Sequence, residues 1–185
     1  MCPGANSNVP ETGSVLSAGV LARRLVKALG FRTMAAAESC TAGMVADLVA
    51  RIPGASRVLW GSFVTYMPDA KVKVLGLDVG DLKKFGPVSR ETARAMALGA
   101  LDRSGADYAV AVTGLAGPAG DGTAAPVGTV WIATADRERA PLVRRFYFEG
   151  TRNEIRKRAA RKSLEALLER ILLGDRDENE VLSPV

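Results

Sequence analysis

Met34-Ala35-Ala36-Ala37-Glu38-Ser39-Cys40-Thr41-Ala42-Gly43-Met44-Val45-Ala46-Asp47-Leu48-Val49 is the stretch that decides the fold. Met34 to Ala37 are small or apolar without polar alternation, the pattern of a short buried strand, and that strand ends at Glu38. Met44, Val45, Leu48, Val49 and Ile52 then recur at three- and four-residue spacing, so a helix over 41–52 follows at once and stops at Pro53-Gly54. This puts Ser39 at a helix N-terminus, where unpaired backbone N–H groups gather and stabilise negative charge.

The same alternation extends outward. Leu16, Val20, Leu21, Leu25 and Leu29 mark a helix from about residue 14, closed by Gly30. Residues 58–66 read as a strand halted by Pro68, and 69–75 as a short helix. Ser89 caps a helix whose inner face is Ala93, Met96, Ala97, Ala100 and Leu101. Residues 108–113 form a strand buried on both faces, a glycine-rich loop runs from Gly114 to about Pro126, and strands at 128–135 and 141–148 make a hairpin. Thr151-Arg152-Asn153-Glu154 has capping-box spacing, and a last helix follows to about Leu173, its stripe being Leu164, Leu167, Leu168, Ile171 and Leu172.

Strands alternating with helices predict the α/β class, here a single-domain three-layer α/β/α sandwich with a mixed sheet over residues 14–173. A Pro-, Gly- and Asn-rich tail at 1–13 and a loose acidic tail at 174–185 flank it. Ligands in such sheets bind where strand ends meet helix starts. Segments 38–43, 113–118 and 150–156 are of that kind.

The bulk numbers set limits. A chain of 185 residues is long enough for one domain with a full core. No apolar run approaches the roughly 20 residues that span a bilayer, and the N-terminus lacks a signal-peptide pattern. Only Cys2 and Cys40 are present, so no disulfide framework is indicated and a cytoplasmic location is expected. The net charge of +5 suits an anionic partner, nucleic acid or a phosphorylated metabolite. Aromatic residues do not interleave with the basic run 152–162, so a single-stranded nucleic-acid platform is weakly supported. With no histidine and no paired-cysteine spacing, no metal site is expected.

Ser39 could be an ordinary helix cap worth about 1 kcal/mol, or a nucleophile. In the second case its base cannot be an imidazole, and lysine replaces it. Cys40 is an alternative nucleophile, a thiol near the same helix start. Lys71 follows Tyr66 by five residues; it serves as a base only if its pKa falls well below about 10.4. Thr113-Gly114-Leu115-Ala116-Gly117-Pro118 ends a buried strand in small residues that let amides converge on an anion, but it is not a P-loop. Arg152 is a cation in the first turn of a helix, against the macrodipole, which suggests a bound anion.

Taken in order, Ala-Glu-Ser-Cys-Thr-x-Gly, Tyr-x-x-x-Ala-Lys, Gly-x-Val-Ser, Thr-Gly-x-Ala-Gly-Pro, Pro-Val-Gly-Thr-Val and Arg-x-x-Ile-Arg resemble the C-terminal domain of the competence/damage-inducible protein CinA. The resemblance runs from about Leu21 to Leu173. Free-standing members are nicotinamide mononucleotide (NMN) amidohydrolases, and larger ones carry an added N-terminal domain, for which 185 residues leave no room. The resemblance implies Ser39 as nucleophile, Lys71 as base and Tyr66 bridging or orienting the two. It implies backbone N–H groups near Thr41 and Ala42, next to Gly43, as the oxyanion site. Thr113, Gly114 and Gly117 with Arg152, or Arg156 one turn on, would bind ribose and phosphate. No cofactor or metal is implied, the partner is the nucleotide substrate, and a homodimer is compatible. Ala42 stands where Gly is usual, and Met67-Pro68 where Ser-Asn is common. A catalytically silent domain that binds a nucleotide or a protein, linked to competence or DNA damage, is the competing class.

Overall fold

The computed structural model describes residues 16–120, 122 and 125–181, with the backbone alone over 175–181. The tail expected at 1–13 lies outside the described residues. β1 (Met34–Glu38) pairs in parallel with β2 (Leu59–Val64) on one side and with β3 (Tyr108–Gly114) on the other. β4 (Thr129–Asp136) runs antiparallel to β3, and β5 (Leu142–Tyr147) antiparallel to β4. The sheet is therefore mixed, in the order β2-β1-β3-β4-β5. Its three parallel strands all end on the same edge.

Two helical layers enclose it. α1 (Ala18–Leu29), α2 (Met44–Ala50) and α6 (Arg152–Val181) cover one face, where Leu25, Val49, Leu164 and Leu167 pack over Met34, Val110 and Ile132. α3 (Pro68–Leu75), α4 (Val79–Phe85) and α5 (Arg90–Ser104) lie on the other. There the sheet presents Ala37, Ala109, Ala111, Ala133 and Ala135 to Ala93, Met96, Ala97 and Ala100 of α5. Small residues on both sides let α5 approach closely. At Gly99 a Cβ would collide with the Leu75 carbonyl, so α3 rests directly on the α5 backbone.

The layered α/β fold and all five strands are as the sequence reads. Differences arise at element ends. α2 begins at Met44, three residues after its expected start, because 39–43 form a separate turn. α1 begins at Ala18, capped by Ser17. α4 has no buried residue and hence no apolar stripe to read. α6 passes Gly174 and runs to Val181. One glycine costs a helix only about 1 kcal/mol and does not compel an end. Leu172, expected in the buried stripe, is 45 % exposed. Among the described residues no helix is long and apolar enough to cross a membrane.

At the sheet end far from these strand termini, Arg170 of α6 is buried against the β4–β5 turn. Its Nε donates to Asp136 Oδ2 at 2.7 Å, and its other nitrogens reach the carbonyls of Thr134, Arg139 and Ala140. Burial would raise the Asp136 pKa, but hydrogen bonds from Arg170 and Arg139 more than offset that and hold it at about 2.

Candidate active site

Parallel pairing brings the ends of β1, β2 and β3 to one crevice, a cavity of about 250 Å³. Ser39 follows β1 and still donates its N–H to Val112 of β3, so its backbone is fixed by the sheet. After β2 the chain turns at Met67, Pro68 takes the first position of α3, where its missing N–H is not needed, and Lys71 comes one turn later. Lys71 is the largest fully buried side chain among the described residues and points back to the strand ends.

Its Nζ lies 2.8 Å from Ser39 Oγ, 2.6 Å from the Thr65 carbonyl and 3.5 Å from the Tyr66 carbonyl. No carboxylate pairs with it among the described residues. Desolvation therefore lowers its pKa to about 8, a shift that only a charged Cys40 sulfur would oppose. A neutral amine has two N–H bonds and one lone pair. With both carbonyls taking N–H bonds, the lone pair is left for the Ser39 hydroxyl. The sequence-predicted serine and lysine are thus in contact.

Cys40 lines the same cavity, yet burial pushes its thiol up to about 12, against the lowering effect of its own backbone hydrogen bond and of Lys71 and Arg156. A thiol so raised stays protonated and is a poor nucleophile. Of the two, Ser39 Oγ is the one in direct contact with the lysine amine.

Other expected roles are redistributed. The Tyr66 hydroxyl does not bridge the pair; it accepts from Arg152 at 2.5 Å, and Tyr66 meets Lys71 only through its carbonyl. Thr113 lines the cavity floor, is fully buried, and donates its hydroxyl to the Pro87 carbonyl at 2.7 Å, which ties the 86–88 loop to the end of β3. Gly114 is required by packing, since a Cβ there would strike Val130 and the Thr129 carbonyl. Gly117 has φ +77° and offers its carbonyl to Arg152 at 2.6 Å. Arg152 thus spans the cavity rim between the loop after β3 and the loop after β2. Arg156 turns away from the cavity: its Nε donates to the Cys40 carbonyl at 2.9 Å and its terminal nitrogen to the Thr41 carbonyl at 3.1 Å.

Glu38 is the functional residue that sequence reasoning missed. Fully buried, it accepts at Oε2 from Thr41 Oγ1, Gly43 N and Val45 N, and at Oε1 from Ala46 N and Ser62 Oγ. The amides at the start of α2, expected to face a ligand, are held by this side chain. Its one sequence signal is an acid followed five residues later by Gly and a helix, the reverse of an ordinary cap. The turn also places Ala42 at φ +50°, a left-handed conformation that accounts for Gly at this position in the resembled family. The Ala42 N–H, expected at the oxyanion site, donates to the Ser39 carbonyl at 3.2 Å. The Thr41 amide has no acceptor among the described residues, and the Cys40 amide meets only its own sulfur.

Comparison with known proteins agrees with the motif order. The family model described as the CinA C-terminal domain matches residues 17–171. A CinA-like protein of Endomicrobium trichonymphae is 43% identical over 141 residues, 76% of this chain and 33% of that protein. Another of Geobacter metallireducens is 45% identical over 149 residues, 80% of this chain and 36% of that protein. The chain therefore spans about a third of the length of the curated relatives it matches. Among solved structures, the competence/damage inducible protein CihA from Agrobacterium tumefaciens superposes with a TM-score of 0.78 at 43% identity, covering 80% of this chain and 92% of that one. The competence damage-inducible protein A of Klebsiella pneumoniae gives 0.82 at 31% identity, covering 85% of this chain and 98% of that one.

Proposed function

We propose, from the premise that this chain belongs to the CinA C-terminal domain family, that it hydrolyses the carboxamide of NMN to nicotinic acid mononucleotide and ammonia by a serine–lysine mechanism. The observation that carries the reading is a buried lysine with no counter-ion among the described residues, 2.8 Å from the Ser39 hydroxyl at a cavity.

Neutral Lys71 takes the Ser39 proton as Oγ bonds to the amide carbon. The carbonyl oxygen becomes an oxyanion held by the Cys40 and Thr41 amides, donors of a kind worth about 3 kcal/mol each. When the intermediate collapses, Lys71 returns its proton to the departing nitrogen, which leaves as ammonia. Water then attacks the acyl ester, gives a proton to Lys71, and Ser39 is expelled and reprotonated. Arg152 uses two of its five N–H bonds on the protein and has others for a phosphate at the rim.

The test is ammonia release from NMN, nicotinamide and NAD by the purified protein. Release from NMN, abolished in Ser39→Ala and largely kept in Cys40→Ser, is the expected result. Arg152→Ala should raise KM for NMN at least tenfold, about 1.4 kcal/mol, and have less effect on nicotinamide riboside. NMN binding without ammonia release would point to the silent nucleotide-binding class.

A further inference from the structure

The hydrogen bonds of Arg156 bear on the peptide units, not only on the atoms they touch. The Cys40–Thr41 peptide is trans, Gly117–Pro118 being the one cis bond among the described residues. In a trans peptide the C=O and N–H point in opposite directions. Arg156 Nε holds the Cys40 carbonyl from the α6 side, so the Thr41 N–H of the same unit is turned away from α6. A charged donor on the carbonyl also polarises the unit and makes its N–H a stronger donor. The next unit is held in the same way: Arg156 takes the Thr41 carbonyl, and the Ala42 N–H closes back on Ser39. From the other side Glu38 Oε2 fixes the Thr41 hydroxyl at 2.7 Å. Thr41 is therefore gripped at its own carbonyl, at the Cys40 carbonyl before it and at its side chain, while its amide has no acceptor among the described residues.

We propose that Arg156 is a positioning residue that orients and polarises the Thr41 amide as an oxyanion donor, and does not bind the substrate's phosphate. The proposal rests on the serine–lysine reading above. A donor that matters only in the transition state changes kcat and leaves KM alone.

Arg156→Met keeps the length and removes both main-chain hydrogen bonds, together with the one to Asn153 Oδ1 on its own helix. Its kcat for NMN should fall about tenfold to a hundredfold, with KM changed less than about threefold and the midpoint of the pH profile unmoved. Arg156→Lys, which can hold one carbonyl, should recover part of kcat. A large rise in KM with kcat kept would overturn the proposal and return Arg156 to the phosphate. So would a kcat that is normal per active site once the folded fraction is counted. The labelling rate of Ser39 by a fluorophosphonate, whose phosphoryl oxygen takes the oxyanion position, supplies a readout independent of NMN. If wild type labels but does not turn over NMN, the substrate reading falls, and slower labelling in Arg156→Met still supports positioning. Equal labelling in the two proteins overturns positioning. If wild-type Ser39 is not labelled at all, both readings fall.

Discussion

Lys71 is charged in the unfolded chain below its ordinary pKa and reluctant to be charged in the fold, where desolvation brings it to about 8. Between those values the unfolded state binds more protons, so stability rises with pH across that window and the cost is complete below about pH 8. The rate of the proposed reaction should therefore climb with pH and level off above about 8, and Lys71→Arg should be inactive because guanidinium keeps its proton. Lys71→Met should abolish turnover yet stabilise the protein by about 1–2 kcal/mol at pH 7, with the gain shrinking toward pH 10. Denaturant melts at the two pH values check this, and a destabilised methionine variant at pH 7 would contradict the burial argument. The absence of histidine pointed to a lysine as the base partner of Ser39, and the motif resemblance singled out Lys71 among the lysines. Glu38 was not legible, since an acid at a strand end reads as a solvated terminus. Only the folded turn shows five donors converging on it.

At the scale of elements, the turn between β1 and α2 carries a strained residue. Ala42 adopts φ +50°, which costs an L-residue roughly 1–2 kcal/mol, while glycine there costs some unfolded-state entropy. Ala42→Gly should therefore stabilise the protein by about 0.5–1 kcal/mol, read as a higher melting temperature. Elements whose apolar faces are complete were legible: β1 and β3 as unbroken apolar runs, α5 from its alanine stripe. Element ends were less so. The start of α2 is set by hydrogen bonds from its first amides to Glu38, and those depend on where a side chain from the preceding strand lands. α4 gave no period because it buries nothing.

Across the whole molecule the two buried charge systems sit at opposite ends of the sheet. Asp136 and Arg170 tie α6 to the β4–β5 turn. With the Asp136 pKa depressed to about 2, its contribution is complete above the ordinary carboxylate range and is lost as pH falls from about 4 toward 2. Asp136→Asn should cost about 3 kcal/mol by leaving Arg170 buried without its counter-charge, and ammonia release per folded molecule should stay unchanged because the dyad is remote. Equilibrium unfolding with an activity assay on the same samples separates the two effects. Glu38, beneath the crevice at the other end, acts as a ligand that the chain carries with it. A tethered carboxylate competes for the α2 amides at an effective concentration that millimolar phosphate or sulfate in the surrounding solution cannot match. Solute anions are shut out of the ground beside Ser39, and in the proposed mechanism the oxyanion donors stay vacant for a charge that exists only while the reaction is under way.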